Sequence, residues 1–334
     1  MKAVYFFCCD ESKDPVAKGI FDQVLAMHPL EETTITFDGL PVLQYKDKQD
    51  NLFLFAQTTE VLSHKTDYLE ELGQFAEFDY AGIVNWHEGR NAPSKILTVH
   101  TNGDVPSGNF SRANPLLNRN MIQALEINRQ LFVLDDFSTK TEATHWSGIV
   151  YDQSPNLIPM FTVPLVDIEI GSELDSWKNP VACQVIAKSL VEVFDRMDQE
   201  IIPILYFDGE HFDQDLANIA INSDFPFAFC HHLPNQWIQN YIKKSVDPDS
   251  GEKLTEPSDD SAEKLKNCMD SIIGGVKAIF FHEGIGGPLR NLVKDFAEQY
   301  HVPVFKHKAL RDPAKLLKEL QQLSNPARPR LRMS

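Results

Sequence analysis

The histidines of this chain stand where α/β proteins place their chemistry. His87 follows the apolar run AGIVNW, His100 lies in ILTVHT and His145 in TEATHWSG, while His211 follows ILYFDGE, His231 and His232 follow FAFC, and His282 ends AIFF. Most of these runs read as strands, and an open α/β sheet holds its ligands in the loops at strand ends. Neutral imidazole is the commonest zinc ligand and a ready acid or base near pH 7. A single such histidine is more often a hydrogen-bonded core or loop residue, but repetition at strand ends makes the group a candidate site. Carboxylates accompany several of them: Glu142 precedes His145 by three positions, Asp208 and Glu210 precede His211, and Glu283 follows His282. A carboxylate there orients an imidazole or takes a proton from a metal-bound water. Composition alone also puts acids beside many residues of this chain, and that is the preferred reading for Glu210 and Glu283.

Several chemistries drop out. His282-Glu283 begins an HExxH-like run, but Gly286 stands at the second histidine position and the glycines of FHEGIGGPLR oppose a helix, which excludes a zinc-protease helix. The same stretch suits either a glycine-rich turn facing an anion or a bare turn. There is no GxSxG elbow and no Walker-type lysine loop. The five cysteines, Cys8, Cys9, Cys183, Cys230 and Cys268, form no CxxC pair, so a reducing cytoplasm is expected and a disulfide framework is not. No apolar stretch is long enough to span a bilayer. With 31 basic and 48 acidic residues the net charge is −17, which weighs against broad attraction to DNA, RNA or anionic membrane.

The elements that must position these residues alternate between strand and helix along 334 residues. The pattern predicts a mixed α/β fold, a largely buried sheet with helices on both faces. Expected strands include residues 3–9, 52–57, 81–86, 96–101, 131–135, 160–170, 202–207, 278–281 and 303–306. Expected helices include 15–27, 115–129, 179–195, 213–222, 261–273, 288–300 and 313–323. Residues 1–245 form the expected α/β core and 246–261, VDPDSGEKLTEPSDDS, an exposed acidic loop. Residues 262–310 are a C-terminal α/β segment completing the same domain, and 311–334 a helix and basic tail carrying Arg328, Arg330 and Arg332.

Three stretches read together resemble the archaeal and plant type of D-aminoacyl-tRNA deacylase. They are KILTVHTNGD with Trp86-His87 upstream, TEATHWSG against an EATHHGP-type motif, and VDIEIGSELDSW against F-x-E-I-G-S-x-x-x-x-W. The resemblance covers about the first two hundred residues. It implies a phosphorylase- or peptidyl-tRNA-hydrolase-like α/β fold, hydrolysis of the ester joining a D-amino acid to tRNA, and zinc as a cofactor. Carried over by motif, His100, Glu142 and His145 are the expected catalytic group. His87, Glu169, Gly171, Ser172 and His232 are expected to bind substrate, with Glu169 to Ser172 as a strand-to-loop turn whose amides face it. His87, His100, His145 and His211 are the expected metal ligands, and the protein is expected to act on tRNA as a monomer or homodimer.

This chain departs from the pattern in places. Trp146 replaces the second histidine of the EATHHGP-type motif, FDGEHFDQD adds Asp208, Glu210, Asp213 and Asp215 around His211, and CHHLPNQW has Asn235-Gln236 at a basic position. Two alternatives therefore accompany the deacylase reading. One is a small-molecule ester or amide hydrolase with an acidic rim around His211. The other is a catalytically silent ligand-binding protein using the same pocket.

Overall fold

The computed structural model describes residues 1–65, 68–89, 91–246 and 253–323. Its strands are β1 (Lys2–Cys8), β2 (Glu31–Phe37), β3 (Leu40–Lys46), β4 (Leu52–Thr58), β5 (Tyr80–His87), β6 (Lys95–Thr101), β7 (Gly103–Asp104), β8 (Asn109–Phe110), β9 (Ser138–Thr141), β10 (Leu165–Ser172), β11 (Ile202–Phe207), β12 (Phe227–Leu233), β13 (Ile242–Val246), β14 (Lys253–Pro257), β15 (Ala278–Phe281) and β16 (Val304–Lys306). The helices are α1 (Ala17–Met27), α2 (Tyr68–Leu72), α3 (Pro115–Leu131), α4 (Leu174–Trp177), α5 (Pro180–Leu190), α6 (Gln214–Ile221), α7 (Asn235–Ile238), α8 (Ser261–Ser271), α9 (Gly287–Gln299) and α10 (Pro313–Leu323).

Where one sheet was expected there are two large ones. The first has eight strands in the order β2-β3-β4-β1-β5-β10-β6-β9, parallel except for the β2-β3-β4 meander and the β10-β6 pair. The second, β12-β11-β15-β16, is wholly parallel. It takes strands from both sides of residue 245, so the expected core and C-terminal segment share one sheet. Residues Ile242–Val246 and Lys253–Pro257 pair as an exposed antiparallel ribbon instead of forming the plain loop expected there. Positions 247–252 and the arginine tail lie outside the described residues.

Apolar spacing explains the layers. Val16, Ile20, Phe21 and Val24 line one side of α1 and pack with α3 and α5 against the first sheet. Val4, Phe6, Leu54 and Ile83 fill the opposite face. Helix starts follow their caps: Asn114 accepts from the Leu117 N–H ahead of α3, Asn179 from Val181 and Ala182 ahead of α5, and Asp213 from Leu216 ahead of α6. Buried Arg119 of α3 donates to the carbonyls of Phe225 and Phe227, tying that helix to the second sheet.

Two local expectations fail for physical reasons. Residues 131–135 are no strand: α3 runs on through Leu131, and Val133 turns the chain with φ of 55° and a largely exposed side chain. The edge strand is the polar Ser138–Thr141 instead. Strand β3 went unrecognised, although Asp38-Gly39, both at positive φ, form the two-residue turn that joins β2 to β3.

Candidate active site

The site begins with register. β10 lies between β5 and β6, pairing Glu169 with Asn85 and Thr98, Gly171 with His87, and Asp167 with His100. Because side chains alternate along a strand, Asn85, His87, Thr98, His100, Asp167 and Glu169 all project from one face. Gly171 makes room there, since a Cβ would meet the Ile96 side chain at 2.8 Å and the His87 Cβ at 3.1 Å. Directly after β9, the segment Glu142–His145 is pinned between the sheets. The Ala143 N–H donates to the His211 carbonyl (2.9 Å), the Thr144 N–H to the His232 carbonyl (2.8 Å), and the Gly103 N–H to the His145 carbonyl (3.1 Å).

Glu142 is the hub. Its Oε1 lies 2.7 Å from His211 Nε2, 3.3 Å from His87 Nε2 and 3.6 Å from His145 Nδ1. His87 is fixed from behind by Ser172 Oγ at 2.8 Å from its Nδ1. His100 Nε2 stands 3.6 Å from Asp167 Oδ2 and 3.7 Å from Glu169 Oε1, and Asn85 donates to Asp167 at 2.9 Å. Burial disfavours the His100 imidazolium, but Glu142, Glu169 and Asp167 outweigh it and push the group up to about 10. Glu142 is held well below the carboxylate range, because burial is overcome by His87 and His100. His145 moves the other way: burial, then the positive His100, holds it well below the usual imidazole value. Its Nδ1 lies 3.0 Å from the Ala143 carbonyl, which assigns the proton to Nδ1 and leaves Nε2 as an acceptor.

Two sets of side chains bring one ligand atom each to within 4.8 Å of one another: His87, Glu142 and His211, and His100, His145 and Glu169. The four histidines expected to share an ion thus lie together but divide between two groups. The first group offers the nitrogen and oxygen donors that zinc takes, whose ligands stand about 3.3–3.6 Å apart around a tetrahedral ion; Glu142 Oε1 meets His87 Nε2 at 3.3 Å, whereas His211 Nε2 is drawn to it at a hydrogen-bonding 2.7 Å. Glu142 Oε2 is buried without a partner.

His87, His145, His211 and Glu169 open onto a cleft of about 580 Å³ whose walls include Trp86, Tyr151, Phe212 and Trp237. Among the described residues no lysine or arginine lines it. His232, expected to bind substrate, does not reach this cleft. It sits inside β12, buried between the sheets, with Nε2 3.2 Å from the Asp208 carbonyl, and burial lowers it to about 3. Gly171 and Ser172 continue the β10 ladder and form no open turn, so their amides are spent on strand pairing; Ser172 acts through its hydroxyl on His87.

One substitution that sets this chain apart, Gln236 at the basic position of the pattern, lines this cleft; the others fall elsewhere. Trp146 lines a separate small cavity with Leu62, Ser63 and Leu157, so its replacement of histidine removes no group from the cleft. Asp208, Glu210, Asp213 and Asp215 line a second cleft at the ends of β11 and β15, where Asp215 Oδ2 meets His307 Nε2 at 2.8 Å and Arg311 Nε at 2.7 Å. The acidic rim expected around His211 therefore faces away from it, which removes the feature that favoured a small-molecule hydrolase. Sequence reasoning missed Asp167, Asn85 and Trp237. Asp167 was detectable, since it stands two positions before Glu169 on the same strand face; Trp237 carried no comparable signal.

Fold and site together define an α/β protein with a histidine–carboxylate centre in an aromatic cleft. The family model for D-aminoacyl-tRNA deacylases matches residues 74–305, beyond the first two hundred residues on which the motif resemblance rested and through the glycine-rich run after His282. This chain belongs to that family. A D-aminoacyl-tRNA deacylase of Archaeoglobus fulgidus is 23% identical over 318 residues, covering 92% of this chain and 98% of its relative. One of Pyrococcus abyssi is 24% identical over 303 residues, covering 88% and 96%. A crystal structure described as a conserved protein of unknown function, AF0625, shares the fold with a TM-score of 0.70 at 20% identity, covering 93% of this chain and 97% of that one.

Proposed function

We propose that this protein hydrolyses the ester of D-aminoacyl-tRNA, releasing D-amino acid and tRNA, in the cytoplasm, where its five free thiols stay reduced. The observation that carries the reading is the convergence of His87, His145, His211 and Glu169 on one cleft in a chain of this family. An aminoacyl ester is an activated acyl group, so a positioned base and charge stabilisation suffice.

His145 is the base. Its Nε2 takes a proton as the water oxygen bonds to the carbonyl carbon, and it returns the proton to the ribose oxygen when the ester C–O bond breaks. Buried His100 keeps its positive charge beside this base, with the ring centroids 4.0 Å apart, and favours the negative charge that develops on the carbonyl oxygen. Glu142 fixes His87 and His211 in place, and Glu169 holds His100. Zinc would be held by His87, Glu142 and His211; when bound it supplies Lewis-acid polarisation and lowers the pKa of a bound water. The test is His145→Ala in a deacylation assay, with kcat expected to fall roughly 10²–10⁴-fold. Full activity in that variant overturns the assignment.

A further inference from the structure

Glu142 stands between two compartments. Its Oε1 serves histidines that open onto the cleft, but the residue itself lines an internal cavity of about 40 Å³, together with His100, Thr101, Asn118, Arg119 and His232. The residues around this cavity are buried, apart from a half-buried Phe229. Three of them carry acceptors that no protein donor meets: Glu142 Oε2, His232 Nδ1 and Asn118 Oδ1.

Local hydrogen bonds establish that these atoms accept. The Thr101 hydroxyl gives its proton to the Cys230 carbonyl at 2.7 Å and so receives the Asn118 amide N–H at 2.9 Å, which leaves Asn118 Oδ1 free. His232 Nε2 lies 3.2 Å from the Asp208 carbonyl, which assigns the proton to Nε2 and leaves a lone pair on Nδ1. Glu142 is a carboxylate, and its oxygens only accept. Arg119 Nε, on the same wall, is a buried donor with no partner. Unmet polar atoms of this kind are costly to bury, and water is the group that serves both acceptors and a donor. A buried water takes roughly 10–15 Å³ and two to four polar partners, so the cavity has room for about two or three.

We propose that ordered waters occupy this cavity and link Glu142 Oε2 to His232 Nδ1 and Asn118 Oδ1, making His232 a positioning residue that acts on the catalytic centre through Glu142. This rests on the deacylase reading and deepens it. Held from behind, the Glu142 carboxylate keeps Oε1 turned toward His87, His145 and His211. His232, which does not reach the cleft, thereby serves the reaction without touching substrate.

The test pairs a crystal structure of the purified full chain with two variants, His232→Leu and His232→Asn, assayed on D-aminoacyl-tRNA. The crystal is expected to show ordered water within hydrogen-bonding distance of Glu142 Oε2 and His232 Nδ1; a dry cavity overturns the inference. Both variants lose the bond to the Asp208 carbonyl, but only asparagine keeps an acceptor near the place of Nδ1. His232→Leu is expected to lower kcat roughly 10–100-fold with KM within about twofold, and His232→Asn to recover most of that loss at a similar melting temperature. A rise in KM instead sets the residue against substrate, and equal losses in the two variants reduce it to packing. Either result overturns the inference, as does full activity of folded His232→Leu, and each leaves the deacylase reading standing. No turnover of any D-aminoacyl-tRNA by the wild-type protein overturns that reading and the role of His232 with it, whatever water the crystal shows.

Discussion

The imidazoles of His100 and His145 stack 4.0 Å apart at an interplanar angle of 24°, and their surroundings drive them to opposite protonation states. Glu142, Glu169 and Asp167 overcome the burial of His100 and hold it charged; burial and that same charge hold His145 neutral. In the proposed mechanism a charged and a neutral imidazole side by side divide the labour of ester hydrolysis between charge stabilisation and proton transfer.

Glu142 should prove to be what charges His100. In Glu142→Gln the His100 imidazole should titrate well below its value of about 10, because the largest attraction opposing its burial is gone. Histidine resonances followed by NMR across pH report this directly, and activity should fall roughly 10–100-fold as His87 and His211 lose their common anchor. An unshifted His100 would contradict the electrostatic account.

Metal content separates the two histidine groups. Elemental analysis of the purified protein should give one zinc per chain, lost in His211→Ala and in His87→Ala but retained in His100→Ala. Loss in the last variant alone would move the ion to the other group.

Restoring the family's second histidine should bring no gain. Trp146 lies outside the active-site cleft, so Trp146→His should leave kcat/KM within about twofold and lower stability by roughly 1–2 kcal/mol through lost packing. A large rise in activity would show that this side chain reaches the site.

Stability should depend on pH through Asp14, ahead of α1. Its Oδ1 accepts from the N–H groups of Val16 and Ala17, its Oδ2 is buried without a partner, and burial raises the carboxyl to about 7 against those two bonds. A raised carboxyl binds its proton more tightly when folded, so its contribution is complete below the unfolded value near 4 and is lost as pH rises through 7. The linkage is up to roughly 4 kcal/mol. Asp14→Asn keeps the accepting oxygen and removes the charge, so its thermal midpoint should exceed the wild type's at pH 8 and converge with it near pH 4.

Much of the fold was legible because apolar periodicity and caps act locally: α1, α3, α6, α8, α9 and α10 and most buried strands lie close to where their patterns put them. The division into two sheets was not, since β11 and β15 read alike whichever sheet they join. In the site, His87, His100, Glu142, His145 and Glu169 were visible through motif and position. What sequence hid was direction. The carboxylates flanking His211 in the chain turn to another cleft, Trp146 turns away beside His145, and His232 is sealed inside a strand that continues past the expected strand end. Neighbours along a chain share a surface only when the backbone's period allows it.

The central claim is tested most directly by one comparison: release of amino acid from the same tRNA charged with the D or the L form of one amino acid, by the metal-replete protein. The account predicts rapid release of the D form, release of the L form slower by at least tenfold, and loss of both in His145→Ala. Equal rates on the two forms, or no release of the D form by folded protein, would contradict it.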